Sequence, residues 1–571
     1  MVTRRQFLQV AAATAAITGL GGRLGRAAAR EAIRQDDLLR FTPKGQLTIL
    51  HLADIHAQLL PLYHREASLN LGVGAAKGKF PHITGAELLD AFSIQGASLD
   101  AYMLSSDDYE AMARTYGRVG GMDRVAALVA EIRAERGEER VLLLDGGDAL
   151  QGSYTALESR GGDMVAALNA LGVEALTGHW EFTLGAGRVT ELFGDIDQLG
   201  SSGLSFLAGN VRDNEFAEPV FHPFRMFEKG GVAVAVIGQA FPYVPIANPR
   251  WLVPKWSFGI RENALRRTVT AARRQGAQVV VLLSHNGFDV DAKLASRVEG
   301  IDVILTAHTH DALPQPVRVG NTLLIASGSH GKFLSRLDIE VDGNRMKDVS
   351  YGLIPVLSDA IAPHPEMAAL IAGIRAPHEK MLTTTLAHTD GLLYRRGTFG
   401  GTLDDLICDA LRMERDAQIA LSPGFRWGGS LVTGQPVTWE DVYNATAITY
   451  PAAYRVAITG EAIKLILEDV ADNLFNPDPY YQQGGDMVRV GGMGYTINVD
   501  AAMGSRISNM HLLDTGDPIE AEKDYVVAGW GSINQATEGP AIWDVVAAHL
   551  KGHQVLSPEP RKSVKIVRAG G

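Results

Sequence analysis

The chain has 571 residues, too many for one compact core, so two domains are expected. Its net charge of −12 excludes a nucleic-acid or anionic-membrane surface as the main partner, but not an anionic substrate, because groups within a site outweigh the global charge. The single cysteine, Cys408, excludes an intrachain disulfide; within the apolar helical pattern Leu406-Ile407-Cys408-Asp409-Ala410-Leu411 it reads as a buried structural thiol.

The chain opens on Thr3-Arg4-Arg5-Gln6-Phe7-Leu8, followed by an alanine-rich apolar run from Val10 to Leu20. A twin arginine ahead of a short, weakly hydrophobic stretch predicts a Tat export signal over residues 1–29, with Ala27-Ala28-Ala29 as a small-residue cleavage region. The expected location is therefore the periplasm. The run is too short to span a bilayer, so no membrane insertion is expected. An amphipathic N-terminal tail is the plainer alternative.

From about Leu47 to Val341 strands and helices alternate, which predicts an α/β fold. Strands are expected at Leu47 to Leu52, Val141 to Leu144, Val232 to Ile237, Val279 to Leu283, Val303 to Leu305, Leu323 to Ala326 and Leu334 to Val341. The stretch from His56 to Gly120 lacks this alternation and reads as a long insertion, functional or mobile. A linker helix entered through Pro363 is expected within residues 355–385. It joins a first domain at 45–345 to a second at 386–571.

Five histidines and two aspartates fall just after predicted strands. They stand in Asp54-Ile55-His56, Asp145-Gly146-Gly147-Asp148, Gly178-His179-Trp180-Glu181, Ser284-His285-Asn286 and His308-Thr309-His310, where Asp145 reads as a turn or cap residue and Asp148 as a ligand. Open α/β sheets build their sites at strand C-terminal ends. Imidazole and carboxylate are ligands for divalent metals, and seven such groups exceed one tetrahedral site but fit two metals sharing a carboxylate. Such a pair suits hydrolysis at phosphorus or sulfur. Each short motif is weak alone; the ordered series is specific.

That series resembles the calcineurin-like metallophosphoesterases and, within them, the 5′-nucleotidase family. The resemblance implies an N-terminal four-layer αββα hydrolase domain and a C-terminal α/β substrate domain. It implies one metal on Asp54, His56, Asp148 and His310 and a second on Asp148, His179, His285 and His308. Arg426, in Ser422-Pro423-Gly424-Phe425-Arg426-Trp427-Gly428-Gly429, matches the family's substrate-anion arginine, with a surface ion pair as the alternative. Arg489 is a weaker candidate. Trp427, Tyr480 and Tyr495 are candidates for the walls of the entrance or for packing.

The chain departs from the nucleotidases at Gly178-His179-Trp180-Glu181-Phe182-Thr183, where His179 takes the family's asparagine position and Trp180 its catalytic histidine position. Those departures, with His51 to Leu59, Gly484-Gly485-Asp486-Met487-Val488-Arg489 and the leader, are similar to the thiosulfohydrolases of bacterial sulfur oxidation. The similarity implies two divalent metal ions as cofactors, Mn(2+) in that family, while the ligand set itself admits manganese, zinc or iron. It also implies a SoxYZ-type carrier as partner, bearing a cysteine on a flexible end. The reaction would remove a sulfonate from the carrier's cysteine S-thiosulfonate and release sulfate. Asp148, His179, Trp180 and Arg426 are the expected catalytic set, with Trp180 open between function and packing. A periplasmic nucleotidase or sugar-nucleotide hydrolase is the competing enzyme, and a non-catalytic metal-binding scaffold the competing class.

Overall fold

The computed structural model describes residues 33–568 except Lys562, so the predicted leader lies outside the described residues. Two six-stranded sheets form the centre of the first domain. One runs in the order Arg345–Pro355, Phe333–Asp342, Leu47–Leu52, Val141–Asp145, Ala175–Leu176, Ser205–Phe206, and the other Val317–Val319, Thr322–Ala326, Val303–Thr306, Val279–Ser284, Val232–Gln239, Phe224–Lys229. The middle strands are parallel and continuous apolar runs, as strands covered on both faces must be.

Leu47, Ile49, Leu142 and Leu144 of the first sheet meet Val234, Val236, Val281 and Leu283 of the second in one buried cluster. The opposite faces carry helices. Met122–Arg136 and Gly162–Leu171 cover the first sheet with Val125, Leu128 and Leu168. Glu262–Arg274 and Phe288–Ala295 cover the second with Leu265, Val269 and Leu294. The domain is thus a four-layer αββα sandwich.

The expected strands form, and the structure adds Phe224–Lys229 and Arg345–Pro355, the latter carrying the first sheet past residue 345. Their alternation of exposed and half-buried positions hides them from a search for apolar runs. The insertion is built of helices, Gly85–Phe92, Leu99–Leu104 and Tyr109–Tyr116, packed through Leu88, Tyr102, Met112 and Tyr116. The linker is two helices, Pro365–Arg375 and Glu379–Leu382, separated around Pro377.

The second domain holds a four-stranded sheet of Tyr454–Thr459, Asp524–Gly529, Ile419–Ser422 and Arg489–Gly491, flanked by the helix Thr402–Glu414. Cys408 is buried on that helix, and burial raises its thiol pKa. The two domains are joined by more than the linker. Tyr63 bridges Ser430, Gln151 donates to the Ala447 carbonyl at 2.6 Å, and Thr449 donates to the Thr183 carbonyl at 2.8 Å. Among the described residues no helix is long and apolar enough to cross a membrane.

Candidate metal centre

The C-terminal ends of parallel strands bring the predicted residues together in two touching groups: Asp148, His179, His285 and His308, and Asp54, His56 and His310, all buried. Asp148 stands between them. Its Oδ2 lies 3.1 Å from His285 Nε2, 3.3 Å from His179 Nδ1 and 3.8 Å from His56 Nε2. Asp54 Oδ1 lies 3.6 Å from His310 Nε2 and 3.8 Å from His285 Nε2.

The backbone there is unusual in a consistent way. Asp54, His56, Asp148, His308 and His310 all have φ between 49° and 74°. Non-glycine residues adopt this left-handed region at a cost, and it persists where surrounding bonds over-determine it. Those bonds are present. Asp54 N–H donates to the Gly147 carbonyl at 2.9 Å and His56 N–H to the Asp148 carbonyl at 2.8 Å. His308 N–H donates to the Asp54 carboxylate at 3.0 Å.

Glu181, for which sequence reasoning found no role, is the clamp of the Asp148 turn. Its buried carboxylate accepts the N–H of Ala149 at 2.8 Å and of His179 at 2.8 Å, with Asp148 and Leu150 N–H at 3.3 Å each. Trp180 N–H donates to Asp148 Oδ1 at 2.7 Å, leaving Oδ2 for the cluster.

Several features fit divalent cations. His285 Nδ1 faces the Gly146 carbonyl at 2.7 Å and His308 Nε2 the Gln483 carbonyl at 2.8 Å, so each ring donates there and turns its other nitrogen toward the cluster, where a metal would take the place of a proton. His179 Nδ1 and Nε2, His285 Nε2 and His310 Nδ1 are buried without a hydrogen-bond partner. Orphaned imidazole nitrogens facing carboxylates are what a metal ion satisfies.

The electrostatics agree. Burial pushes Asp148 upward, but His285 and His179 beside it prevail and hold its carboxyl well below the ordinary range. Burial lowers His285, yet Asp148 and Asp54 raise it to about 10, so the field at that point favours positive charge. Burial and the Arg426 charge keep His308 and His310 well below the usual imidazole range, and therefore neutral and able to ligate.

The second domain reaches this cluster through two arginines. Arg426 is buried and donates to the His308 carbonyl. It makes no salt bridge among the described residues, so it is not a surface ion pair. Arg396 was not anticipated. It is buried, its Nη2 reaches the Thr309 carbonyl at 3.3 Å, and its Nε has no partner. Nothing in Tyr394-Arg395-Arg396-Gly397 distinguishes it from its neighbour, which is fixed by Asp404 at 2.9 Å.

Arg489 is committed elsewhere, to Asp404 at 3.1 Å and Asp486 at 2.8 Å, and its role is structural. Trp427 and Tyr495 are buried in the second domain, and Tyr480 is held by Lys293 and Glu262. Trp180 is buried as well, but in the second domain's cluster, edge-on to Phe425 and Trp427 and stacked on Tyr450.

A cavity of about 90 Å3 leads to the cluster, with His308, Arg396, Arg426 and Asp486 on its walls. Gly484 and Gly287 keep it open: a Cβ at Gly484 would stand 2.7 Å from His308 Nε2, and one at Gly287 3.2 Å from Thr309 Cγ2.

An αββα sandwich with a dimetal-type cluster at its strand ends and a second domain closing over it defines a hydrolase of the 5′-nucleotidase and metallophosphoesterase class. The sequence comparisons agree. Residues 385–544 match the family described as 5′-nucleotidase, C-terminal domain. Bovine 5′-nucleotidase is 24% identical over 473 residues, 74% of this chain and 79% of that protein. A 5′-nucleotidase precursor from Thermus thermophilus shares the fold with a TM-score of 0.70 at 20% identity, over 91% of this chain and 99% of that one. The sulfate thiohydrolase SoxB of Thermus thermophilus is 35% identical, with a TM-score of 0.87, over 92% of this chain and 97% of that one. The chain belongs to the SoxB family.

Proposed function

We propose that the protein hydrolyses the cysteine S-thiosulfonate of a SoxYZ-type carrier, releasing sulfate and leaving a persulfide on the carrier. The observation that carries this reading is the approach to the cluster. At about 90 Å3 the cavity is well below the roughly 300 Å3 at which pockets for drug-sized ligands begin. It suits a small tetrahedral anion on a thin arm better than a nucleotide, and its glycine walls suit an extended peptide. The 35% identity to a sulfate thiohydrolase supports the same substrate class.

Asp54, His56, Asp148 and His310 would hold one divalent cation and Asp148, His179, His285 and His308 the other. Manganese is the metal proposed, and the pair supplies Lewis acidity that activates water and offsets charge on the oxyanion. The protein's own part is positioning. Arg426, fixed by the His308 carbonyl, presents the rest of its planar guanidinium to the sulfonate oxygens. Arg396, with its unpartnered Nε in the same cavity, adds a second cation. Water adds to the oxidised sulfur and the sulfur–sulfur bond breaks with its electron pair going to the carrier. Sulfate and two protons depart, leaving the persulfide anion. The buried walls of Phe241, Trp180 and Trp427 exclude bulk water, which strengthens every charge interaction inside.

The test is sulfate release from a carrier whose cysteine bears an S-thiosulfonate, by metal-loaded enzyme, set beside phosphate release from a mononucleotide. Carrier turnover at least about 100-fold more efficient, or roughly 3 kcal/mol in transition-state binding, is expected. Efficient phosphate release with no sulfate would overturn the reading. The location proposed is the periplasm, reached through the twin arginine of residues 1–29. Replacing Arg4 and Arg5 by Lys should retain the protein in the cytoplasm, and undiminished periplasmic accumulation would refute Tat export.

A further inference from the structure

The insertion builds one wall of the cavity, with Leu69, Asn70, Leu71 and His82 facing His308, Arg426 and Gly484 across it. The second domain ties that wall through Thr398, which donates to the Leu69 carbonyl at 2.8 Å, and Arg568, which donates to the Gly72 carbonyl; its side-chain tie to the first domain is a histidine outside the metal cluster. His82 Nε2 lies 2.9 Å from Asp289 Oδ2, on the helix Phe288–Ala295, and His82 Nδ1 lies 3.1 Å from Asn70 Oδ1. Asp289 also lines the cavity.

The orientation of Asn70 decides the protonation of His82. Its Nδ2 donates to the Pro81 carbonyl at 3.1 Å and toward Asp311 Oδ1 at 3.4 Å. A flipped amide would set its oxygen against two acceptors, so Oδ1 is the atom that faces His82. The ring therefore meets an acceptor at each nitrogen. Neutral imidazole has one N–H and can satisfy only one of them; both bonds need the imidazolium. The side chains of His82 and Asp289 are 14% and 17% exposed, too sheltered for water to replace a lost bond at no cost.

We infer that His82 is a positioning residue whose imidazolium ties residues 67–82 to the catalytic sandwich, so that the substrate cavity is firmly walled on that side while His82 carries its second proton. The charged groups facing it are Asp289 from the helix, Asp311 from the turn after Val303–Thr306, and Arg568 from the chain after Val564–Val567. Burial lowers the His82 pKa, but the Asp289 bond and charge and the Asp311 charge outweigh burial and Arg568, and the net shift is upward. A pKa raised on folding gives a contact that is whole below the unfolded value and lost as pH rises through the folded one. The wall should thus loosen on the alkaline side.

The functional half of this inference rests on the carrier reading; the structural half does not. Hydrogen exchange of residues 67–82 in the metal-loaded protein, corrected for intrinsic rates, is the first measurement. Protection should fall at least about tenfold across one alkaline step. His82→Gln should abolish the step, and Asp289→Asn should move it down by about one pH unit, because the carboxylate charge that favours the imidazolium is gone. Should His82→Gln fail to fold, Asp289→Asn and direct titration of the His82 ring by NMR carry the test. A flat wild-type profile, a step that survives in His82→Gln, or an unmoved step in Asp289→Asn would overturn the inference. With carrier as substrate, the same step should appear in KM and not in kcat, and a step in kcat alone would overturn the positioning role. Absence of any carrier turnover would count against the proposed function and leave the exchange result standing.

Discussion

Asp148→Ala is expected to empty both metal positions together and to lower turnover by at least about 1,000-fold, or roughly 4 kcal/mol. Its Oδ2 approaches both groups of imidazoles, at 3.1 Å from His285, 3.3 Å from His179 and 3.8 Å from His56, closer than Asp54 Oδ1 comes to His310 and His285 at 3.6 and 3.8 Å. A ligand removed from one group alone would weaken one position; a shared one weakens both. The metal-free protein should lose stability as well, because the attraction of His285 and His179 outweighs the repulsion from Asp54 and Glu181 at this carboxylate and Trp180 N–H loses its acceptor. Elemental analysis gives the decisive reading. Retention of two ions per chain would refute the shared role, and retention of one would assign Asp148 to a single position.

The ends of the parallel strands were the legible part of the sequence, because strands covered on both faces are unbroken apolar runs and a polar residue after them stands out. Leu47–Leu52 before Asp54 and Val279–Ser284 before His285 are read that way directly. Edge strands carry no such signal, so Arg345–Pro355, with one face half exposed, was missed. The helices of the insertion are hidden from the sequence because they are only six to eight residues long, too short to display a sustained amphipathic period.

The residues that support the site were the least visible. Glu181 is one acid among many until its carboxylate is seen collecting backbone N–H groups from Ala149 and His179. Arg396 and Arg395 are adjacent and chemically identical, and only the fold sends one to Asp404 and the other to the cavity. In sequence Arg426 is preferred to Arg489 only through its match to the family's substrate-anion arginine; the ion pairs to Asp404 and Asp486 separate them in space. His82 binds Asp289 across 207 positions, a distance over which no periodicity informs.

Trp180→Ala is expected to cost about 3–5 kcal/mol of stability, the range for removing a large buried aromatic. The ring belongs to the first domain by sequence and to the second domain's core by contact. Its centroid is 4.8 Å from Trp427 and 5.1 Å from Phe425, both edge-on, and it stacks on Tyr450. Phe425 and Trp427 flank Arg426, so losing the ring also frees the segment that aims the guanidinium, and turnover should fall with stability. Trp180→Phe, which keeps an aromatic face, should recover most of both. Packing does not exhaust the position. A persulfide is a weak base and leaves as an anion, whereas an alkoxide leaves poorly without a proton, so only ester chemistry gains from an acid placed here. Trp180→His should therefore lower carrier desulfonation while raising phosphate-ester hydrolysis above background, with metal content unchanged. Carrier turnover that stays at the wild-type level with no esterase activity would reduce Trp180 to packing and remove the leaving-group argument, while the stability loss in Trp180→Ala would still hold. A wet site is the alternative source of lost turnover, and the two differ in kind: water admitted beside the cluster weakens both chemistries, whereas a supplied proton helps one at the expense of the other.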